Sequence, residues 1–320
     1  MSDHLVPPRL TPGRLVYLCV HRPAGALASV FKNGGPWVQW RTARGERDMI
    51  IAAATLPALV FSQQEPACEL HLLTGRRYWH QTAFCLWSFS KAARRRLAPV
   101  IYDDGTLTDE HRGHLERLFP ATTFVSHLEA AAKLDRWLSR EKFPRLRDRW
   151  CHYPHIRKII SPHLGSTGPK LVLDSDLLFF RKPTFLLDWL ANPDRALHAV
   201  DTETAYGYPM NEMSDLAGAP VDPLVNVGLT GLRSEEIDWE RLEYWTTSLM
   251  DRHGPQYLLE QALVAMMVAG RSPRIAPADD YVTLPTAPES LGCRAVMHHY
   301  VAGSKRWYFQ HNWRRLVNTR

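Results

Sequence analysis

Apolar and polar positions alternate along this chain in a pattern that predicts a sheet covered by helices. Short apolar runs are followed by longer segments in which apolar residues recur at helical spacing. The predicted order is a strand at 68–75, a helix at 78–93, a strand at 99–102, and helices at 109–119 and 126–139. Such alternation is typical of an α/β fold with a mostly parallel sheet flanked by helices, which we predict for residues 68–320.

Residues 1–67 have a different character, with apolar patches separated by turn-rich runs such as 32–36 (KNGGP). We expect this segment to be an N-terminal extension that packs on the main domain. Its longest apolar run, 49–61, contains Pro57 and is shorter than the about 20 residues that a membrane-spanning helix needs. The first residues are polar and resemble no signal peptide, so a cytoplasmic location is expected, with the inner face of the membrane as an alternative.

Composition narrows the class of protein. The 320 residues are 45% hydrophobic and 10% aromatic, which excludes disorder, collagen and coiled coil. The net charge of +6 suits an anionic partner such as a nucleotide, whereas scattered basic residues argue against nucleic acid. Five widely spaced cysteines without a CxxC pair favour reduced, mostly buried thiols over a disulfide framework or a zinc ribbon.

The most informative segment is 170–180 (KLVLDSDLLFF), where two carboxylates interrupt an apolar run. On an extended strand Asp174 and Asp176 would point to the same side, because side chains repeat every two residues. Unpaired charges are costly among apolar residues, so a positive partner is required. A hard cation such as Mg²⁺ or Mn²⁺ would satisfy both carboxylates. Capping of a helix or pairing with Lys or Arg is the alternative.

Polar residues also follow the first two predicted strands. Thr74 and Gly75 end the first strand, and Asp103 and Asp104 end the second. Because ligands of open α/β sheets bind beyond the carboxyl ends of strands, these residues are candidates for one shared site. One aspartate of the pair is expected to cap the turn in which Gly105 supplies a positive φ, and the other could bind a ribose or an acceptor hydroxyl.

A second cluster lies near the C-terminus, in 296–307 (VMHHYVAGSKRW). A neutral imidazole from His299, or alternatively from His298, is a good ligand for Mn²⁺-type ions, and the ammonium of Lys305 could neutralise a phosphate. The following segment, 307–315, is aromatic and basic. It is expected to form a helix that packs its Trp residues on the core, while contact with an anionic membrane or a glycolipid acceptor is the alternative.

Together these segments resemble the GT-A glycosyltransferases, specifically glycosyltransferase family 8 and its bacterial relatives. The apolar strand with Asp174 and Asp176 is similar to the DxD motif of that family, and His299 with Lys305 and Trp307 is similar to its C-terminal motif. Three further segments agree in order and approximate spacing: 155–162 with its basic residue, the Asn-x-Gly strand at 225–232, and Glu260-Gln261.

The resemblance implies metal-dependent transfer of a sugar from a nucleotide-diphosphate sugar, most simply a UDP-sugar, with retention. The acceptor would be a glycan, a glycolipid or a protein. The resemblance assigns residues to roles as follows: metal binding (Mn²⁺ or Mg²⁺) to Asp174, Asp176 and His299; diphosphate binding to Lys305 and to Lys158 or else Arg157; sugar or acceptor binding to Asn226 and Gln261; nucleoside binding to Thr74 and Gly75, with Asp104 nearby.

Several positions depart from the family pattern, among them Ala302, Arg306 and Glu260. Two alternatives to the glycosyltransferase interpretation stay open on other grounds. A haloacid-dehalogenase-type phosphatase also uses an Asp-x-Asp strand, although its motif normally lies near the start of the domain and is not followed by a residue such as Leu177. A non-catalytic protein that binds a nucleotide-sugar would share the fold, since function depends on the site.

Overall fold

The structure is a computed structural model that describes residues 34–61 and 66–318. Its helices are α1 Gly35–Thr55, α2 Trp79–Ala93, α3 Asp109–Leu118, α4 His127–Trp137, α5 Pro144–His152, α6 Arg157–His163, α7 Thr184–Ala191, α8 Met210–Ala217, α9 Trp239–His253, α10 Leu259–Val268, α11 Ala287–Gly292, α12 Lys305–Trp307 and α13 Trp313–Asn318. Its strands are β1 Cys68–Thr74, β2 Leu97–Asp103, β3 Thr123–Val125, β4 Pro169–Leu173, β5 Leu177–Phe179, β6 Leu197–Val200, β7 Val225–Arg233, β8 Arg274–Ile275, β9 Tyr281–Thr283 and β10 Met297–His299. A π-helix, Tyr308–Asn312, joins α12 to α13.

Seven strands of the described ranges form the main sheet, in the order β3-β2-β1-β4-β7-β6-β8. Strands β1 to β4 are mutually parallel, and β7 runs antiparallel to both β4 and β6. A smaller sheet has the order β5-β10-β9. One apolar cluster centres on α2 and another on α9 and α10. The predicted α/β fold, with a mostly parallel sheet flanked by helices, is confirmed.

The predicted helix starts are confirmed at two positions. The side chain of Thr108 accepts a hydrogen bond from the backbone N–H of His111 at the start of α3. Likewise, the side chain of Ser126 accepts a hydrogen bond from the backbone N–H of Glu129 at the start of α4, and the Glu129 carboxylate accepts one from the backbone N–H of Ser126. Such caps satisfy backbone donors that a helix leaves unpaired, so they fix the residue at which each helix begins.

The prediction of one extended strand over 170–180 is wrong. Strand β4 ends at Leu173 and β5 begins at Leu177, so Asp174 and Asp176 lie in a turn between the two sheets. The backbone N–H of Asp174 still bonds to the main sheet through the carbonyl of Gly228, at 2.8 Å. The carbonyl of Asp176 instead accepts a bond from Tyr300, which follows β10 of the smaller sheet. The strand is interrupted here because its pairing changes from the main sheet to the smaller sheet.

Helix α1 is the main element that the sequence pattern did not predict. Gly34 and Gly35 have positive φ values of 94° and 86°, and Pro36 follows in the first turn. The turn-rich run 32–36 therefore includes the start of a helix, while Lys32 and Asn33 lie outside the described residues. A Cβ at Gly45 would lie 2.2 Å from the carbonyl oxygen of Phe309, so a glycine is needed where α1 meets the C-terminal π-helix.

The C-terminal segment packs into the core, as expected. Trp313 is 4% exposed and lies in the same apolar cluster as Tyr308 and Phe309. The ring of Trp313 meets Phe84 of α2 edge-on, with centroids 5.4 Å apart. Across the part of the chain that the structure covers, no helix combines the length and the apolar character needed to cross a membrane.

The described ranges contain four cysteines, of which Cys85, Cys151 and Cys293 are free thiols. Cys85 is buried, Cys68 and Cys293 are partly buried, and Cys151 is exposed. The free thiols of Cys85, Cys151 and Cys293 agree with the expectation of reduced thiols, whereas Cys85 alone of the four is fully buried. Cys19 lies outside the described residues.

Candidate functional site

The ends of several strands open into one cleft with a cavity volume of about 640 Å³. Strand β6 runs in the same direction as β4, because both are antiparallel to β7, so the carboxyl ends of β1, β2, β4 and β6 share one edge. Polar side chains from these four ends line the cleft: Thr74, Asp104, Asp174 and Asp201. The starts of β7, α10 and α12 and the end of β10 contribute Asn226, Glu260, Gln261, Lys305 and His299.

Two carboxylates and one imidazole meet in this cleft. Nε2 of His299 lies 3.4 Å from Oδ1 of Asp176 and 3.7 Å from Oδ2 of Asp174. One ligand atom from each of the three residues lies within 4.8 Å of the other two. The group joins the main sheet to the smaller sheet, since the aspartates precede β5 and His299 ends β10.

The donor set fits a divalent cation. Nε2 of His299 is buried and has no hydrogen-bond partner, while Nδ1 lies 3.2 Å from Oδ1 of Asn226. Oδ1 is an acceptor, so Nδ1 carries the proton and the lone pair of Nε2 faces the carboxylates in the neutral imidazole. Two carboxylate oxygens and one imidazole nitrogen suit Mn²⁺ and can also serve Mg²⁺.

The same geometry affects the charge of His299. Burial disfavours the imidazolium, but the nearby carboxylates of Asp176 and Asp174 outweigh burial and raise the pKa of His299. Burial raises the pKa of the Asp176 carboxyl, but the interactions with His299 and Lys305 outweigh burial and hold this pKa well below the usual range. A proton on His299 and a metal ion would therefore compete for the same place.

Two lysines supply positive charge to the carboxylates. Nζ of Lys305 lies 3.1 Å from Oδ2 of Asp176. Nζ of Lys158 lies 2.7 Å from Oδ1 of Asp174 and 3.2 Å from Oε1 of Glu260. Burial disfavours a charged Lys158, but Asp174 and Glu260 outweigh it and raise the pKa of the lysine. Both ammonium groups line the cleft and are charged at neutral pH.

Glu260 is an unusual acid at the start of α10. Burial raises the pKa of its carboxyl to about 8, with Lys158 opposing the change. Its backbone N–H bonds to the hydroxyl of Tyr153, at 3.3 Å. The Lys158 ammonium is thus shared between two acids: Asp174, whose other oxygen faces the His299 ring, and Glu260, which is easily protonated.

Asn226 and Gln261, which the resemblance assigns to the donor sugar or the acceptor, both bond to Asp201. Oδ2 of Asp201 accepts from Nδ2 of Asn226 at 3.1 Å and from Nε2 of Gln261 at 2.9 Å. Oδ1 of Asn226 accepts the backbone N–H of Gly228 at 2.9 Å. Because a carboxylate only accepts, Asp201 fixes which way both amides point.

The strand-end residues have separate roles. Asp103 accepts the backbone N–H groups of Gly105, Thr106 and Leu107 and pairs with Arg112, so it is the aspartate that caps the turn. Asp104 lines the cleft instead.

Thr74 lines the cleft beside Asp104, and Gly75 itself is not part of the lining. A Cβ at Gly75 would lie 2.1 Å from the carboxylate oxygens of Asp104. Gly75 therefore makes room for Asp104.

The alternatives His298 and Arg157 point away from the cleft. His298 is fully buried and bonds through its two ring nitrogens to Tyr300 and Glu289, at 2.9 Å each. Arg157 bonds to the carbonyl of Trp150 and stacks over its ring. His299 and Lys158 are the members of these pairs that line the cleft.

Sequence reasoning missed Asp201 and the aromatic side chains of the cleft. The signal for Asp201 was present, because a short apolar strand, β6, ends immediately before it. The aromatic lining residues come from separated parts of the chain, and only His155 belongs to a segment that the resemblance covers: Tyr78, Tyr153, His155 and Tyr257. The edge of the His155 ring meets Tyr257, with centroids 4.9 Å apart.

Comparison with known proteins rests on structure. No protein-family model matches the chain, and no curated protein matches it by sequence. The galactosyltransferase LgtC, solved in complex with donor and acceptor sugar analogues, is similar with a TM-score of 0.50 and 13% identity, over 75% of this chain and 94% of LgtC. Mouse xyloside xylosyltransferase 1 in its apo form gives a TM-score of 0.49 and 12% identity, over 73% of this chain and 98% of the mouse protein.

The likeness to LgtC confirms the fold that the sequence resemblance implied, the GT-A fold of glycosyltransferases. At such low identity a shared fold carries no assignment of donor, acceptor or chemistry. Those assignments depend on the cleft of this chain.

Proposed function

We propose that this chain is a metal-dependent glycosyltransferase that moves a sugar from a nucleotide-diphosphate sugar, with UDP-sugar as the first candidate donor. The observation that carries the proposal is the meeting of Asp174, Asp176 and His299 in the cleft, with Nε2 of His299 buried and unpartnered. A protein interior rarely leaves such a nitrogen without a partner, and a bound cation would supply one.

Asp174, Asp176 and His299 would hold Mn²⁺ or Mg²⁺, which supplies a Lewis acid for the diphosphate oxygens. Lys305 lies beside Asp176 and supplies a second positive charge where the leaving group develops its negative charge. Lys158 is held by Asp174 and Glu260, so it adds charge with little freedom to move. Since a diphosphate is a stable leaving group, no protonating acid is required.

The amide of Gln261 supports the sugar-transfer part of the proposal. Its Nε2 donates a hydrogen bond to Asp201, which turns the carbonyl oxygen Oε1 away from that carboxylate. Oε1 is then left to accept a hydrogen bond from either substrate, the donor sugar or the acceptor molecule. An oriented acceptor near the reacting carbon would stabilise positive charge on the sugar during transfer with retention. The nucleoside would lie toward Thr74 and Asp104, at the far strand ends of the cleft. The acceptor is a glycan, a glycolipid or a protein.

The first test is calorimetric titration of the purified protein with UDP, with and without Mn²⁺. We expect binding that depends on Mn²⁺ and that weakens about a hundredfold in Asp176→Asn, because a metal ligand is lost. Asp188→Asn is the matched control, since Asp188 is exposed and lies outside the cleft lining. Equal binding in Asp176→Asn and wild type would overturn the metal assignment.

A second measurement separates transfer from binding alone. Slow hydrolysis of a bound UDP-sugar by wild type, lost in Lys305→Ala, would support a transferase. Metal-dependent binding without turnover of any donor or acceptor tested would instead indicate a non-catalytic protein that binds nucleotide-sugars. Phosphate release from an aryl phosphate, with no binding of UDP, would favour the phosphatase alternative.

A further inference from the structure

Helix α1 carries an exposed row of apolar and basic side chains, which we call the α1 stripe: Trp37, Trp40, Arg44, Arg47 and Ile51. Their spacing of three and four residues places them on one face of the helix, over about 21 Å at 1.5 Å per residue. Trp37 is 65% exposed, Trp40 is 45% exposed and Ile51 is 68% exposed.

The opposite face of α1 is already occupied. Gly45, Met49 and Ala53 are buried, and the helix packs there on α2 and on the C-terminal π-helix. A helix on a protein surface normally turns polar residues outward, so large apolar side chains on the outer face of α1 are unexpected for a surface that contacts only water.

The two tryptophans form an ordered pair at the first end of the stripe. Their rings stack with centroids 4.8 Å apart and an angle of 16° between planes. The guanidinium of Arg44 lies over the ring of Trp40, at 5.5 Å from its centroid. Apolar area and positive charge are thus combined within about two helical turns.

Positive charge dominates the surroundings of the stripe. A shallow depression of about 470 Å³ beside it is lined by Arg41, Arg44 and Arg314 among other residues. The acid in this depression, Asp48, pairs with Arg314 at 2.5 Å. The π-helix that packs against α1 belongs to a stretch of sequence, 296–320, that contains no Asp or Glu.

We propose that the α1 stripe is a contact surface for a lipid bilayer that contains anionic lipids. Tryptophan side chains favour the boundary between lipid headgroups and acyl chains, and arginines favour phosphate groups at the same depth. An isoleucine on the same face adds apolar area for shallow burial. The combination of Trp37, Trp40 and Ile51 with Arg44 and Arg47 therefore matches the chemistry of that boundary along one helix.

Charge complementarity favours a bilayer over a second copy of this chain. An interface between two copies with twofold symmetry would bring the same arginine-rich stripe together with itself, and like charges at an interface are destabilising. An anionic bilayer instead offers negative charge over the full length of the stripe. This contact is independent of what the cleft binds, so it stands or falls separately from the glycosyltransferase proposal.

The test is flotation of the full chain with vesicles of phosphatidylcholine alone and of phosphatidylcholine mixed with phosphatidylglycerol. We expect association with the mixed vesicles that weakens as salt is raised. Arg44→Ser with Arg47→Ser should weaken it about 25-fold, at about fivefold for each arginine. Arg140→Ser with Arg252→Ser removes the same charge from other exposed positions and should leave it unchanged.

Trp37→Ala with Trp40→Ala should also weaken vesicle association, while UDP binding in the presence of Mn²⁺ stays at the wild-type level in every variant. Equal association of wild type with the two kinds of vesicle would overturn the proposal. So would equal loss in the stripe variants and the control, or a wild-type dimer in light scattering that the stripe variants abolish.

Discussion

Oδ1 of Asn226 lies 3.2 Å from Nδ1 of His299, on the side of the imidazole opposite to the two aspartates. The amide cannot flip easily, because Nδ2 donates to Asp201 and Oδ1 also accepts the N–H of Gly228. Asn226 thereby fixes the tautomer in which Nε2 of His299 faces Asp174 and Asp176. In this arrangement Asn226 would act as a positioning residue for the proposed metal site.

Replacing Asn226 with Leu should therefore weaken Mn²⁺-dependent binding of UDP by about tenfold to a hundredfold, because it removes the acceptor that orients His299. Binding of UDP without metal should change little. Calorimetric titrations of wild type and Asn226→Leu give the result, with Asp188→Asn as the matched control. Identical Mn²⁺ affinities in wild type and Asn226→Leu would contradict this role.

Gly228 leaves room for the ring of His299. A Cβ at this position would lie 2.2 Å from Cε1 of the imidazole, so Gly228→Ala should displace His299 and weaken Mn²⁺ affinity more than tenfold. The control is Gly113→Ala, where a Cβ meets nothing within 4 Å and where helix α3 should become slightly more stable. Manganese titration followed by calorimetry compares the two, and an unaffected Gly228→Ala would show that the ring adjusts.

Lys158 compensates two acids that lie close together. Lys158→Met should lower the free energy of unfolding by about 3 kcal/mol, because Asp174 and the buried Glu260 lose their shared cation. Adding Glu260→Gln removes one of the orphaned acids and should restore part of that loss. Urea unfolding of the single and double variants measures the difference, and additive losses would contradict the pairing.

Glu289 should make stability depend on acidity. Burial opposes its charge, but the N–H of Ala295, the ring of His298 and the N–H of Arg294 outweigh burial and lower the pKa of this carboxyl to about 2 from the ordinary 4.5. The folded protein holds fewer protons than the unfolded chain between these values. The stabilisation is therefore complete above pH 4.5 and is lost as pH falls toward 2.

Glu289→Gln should accordingly lower the free energy of unfolding at pH 7 by about 2 kcal/mol, a discounted conversion of the pKa difference. The gap between wild type and variant should narrow below pH 4.5. Denaturant unfolding at a series of pH values tests it, with Glu203→Gln as control, since Glu203 is an exposed acid on the loop after β6. A gap independent of pH would mean that the charge is unimportant.

Local patterns were enough to predict much of the framework. The order of β1, α2, β2, α3 and α4 follows from neighbours in sequence, because hydrophobic period acts over a few residues, whereas the short strand β3 was not predicted. The carboxylates of Asp174 and Asp176 stand out for the same reason, as charges within an apolar run. The predicted strand through them failed because strand pairing depends on distant partners.

The tertiary structure alone decided which residues contact one another. Helix α1 became recognisable through the surface that it meets at Phe309, and Asp201 became part of the site through bonds to Asn226 and Gln261 from two other elements. Spacing along the chain favoured His299 over His298, but the opposite directions of their side chains come from the pairing of β10 between two strands. The sequence by itself determined which residues carry charge and where elements begin, whereas long-range packing determined which charges meet.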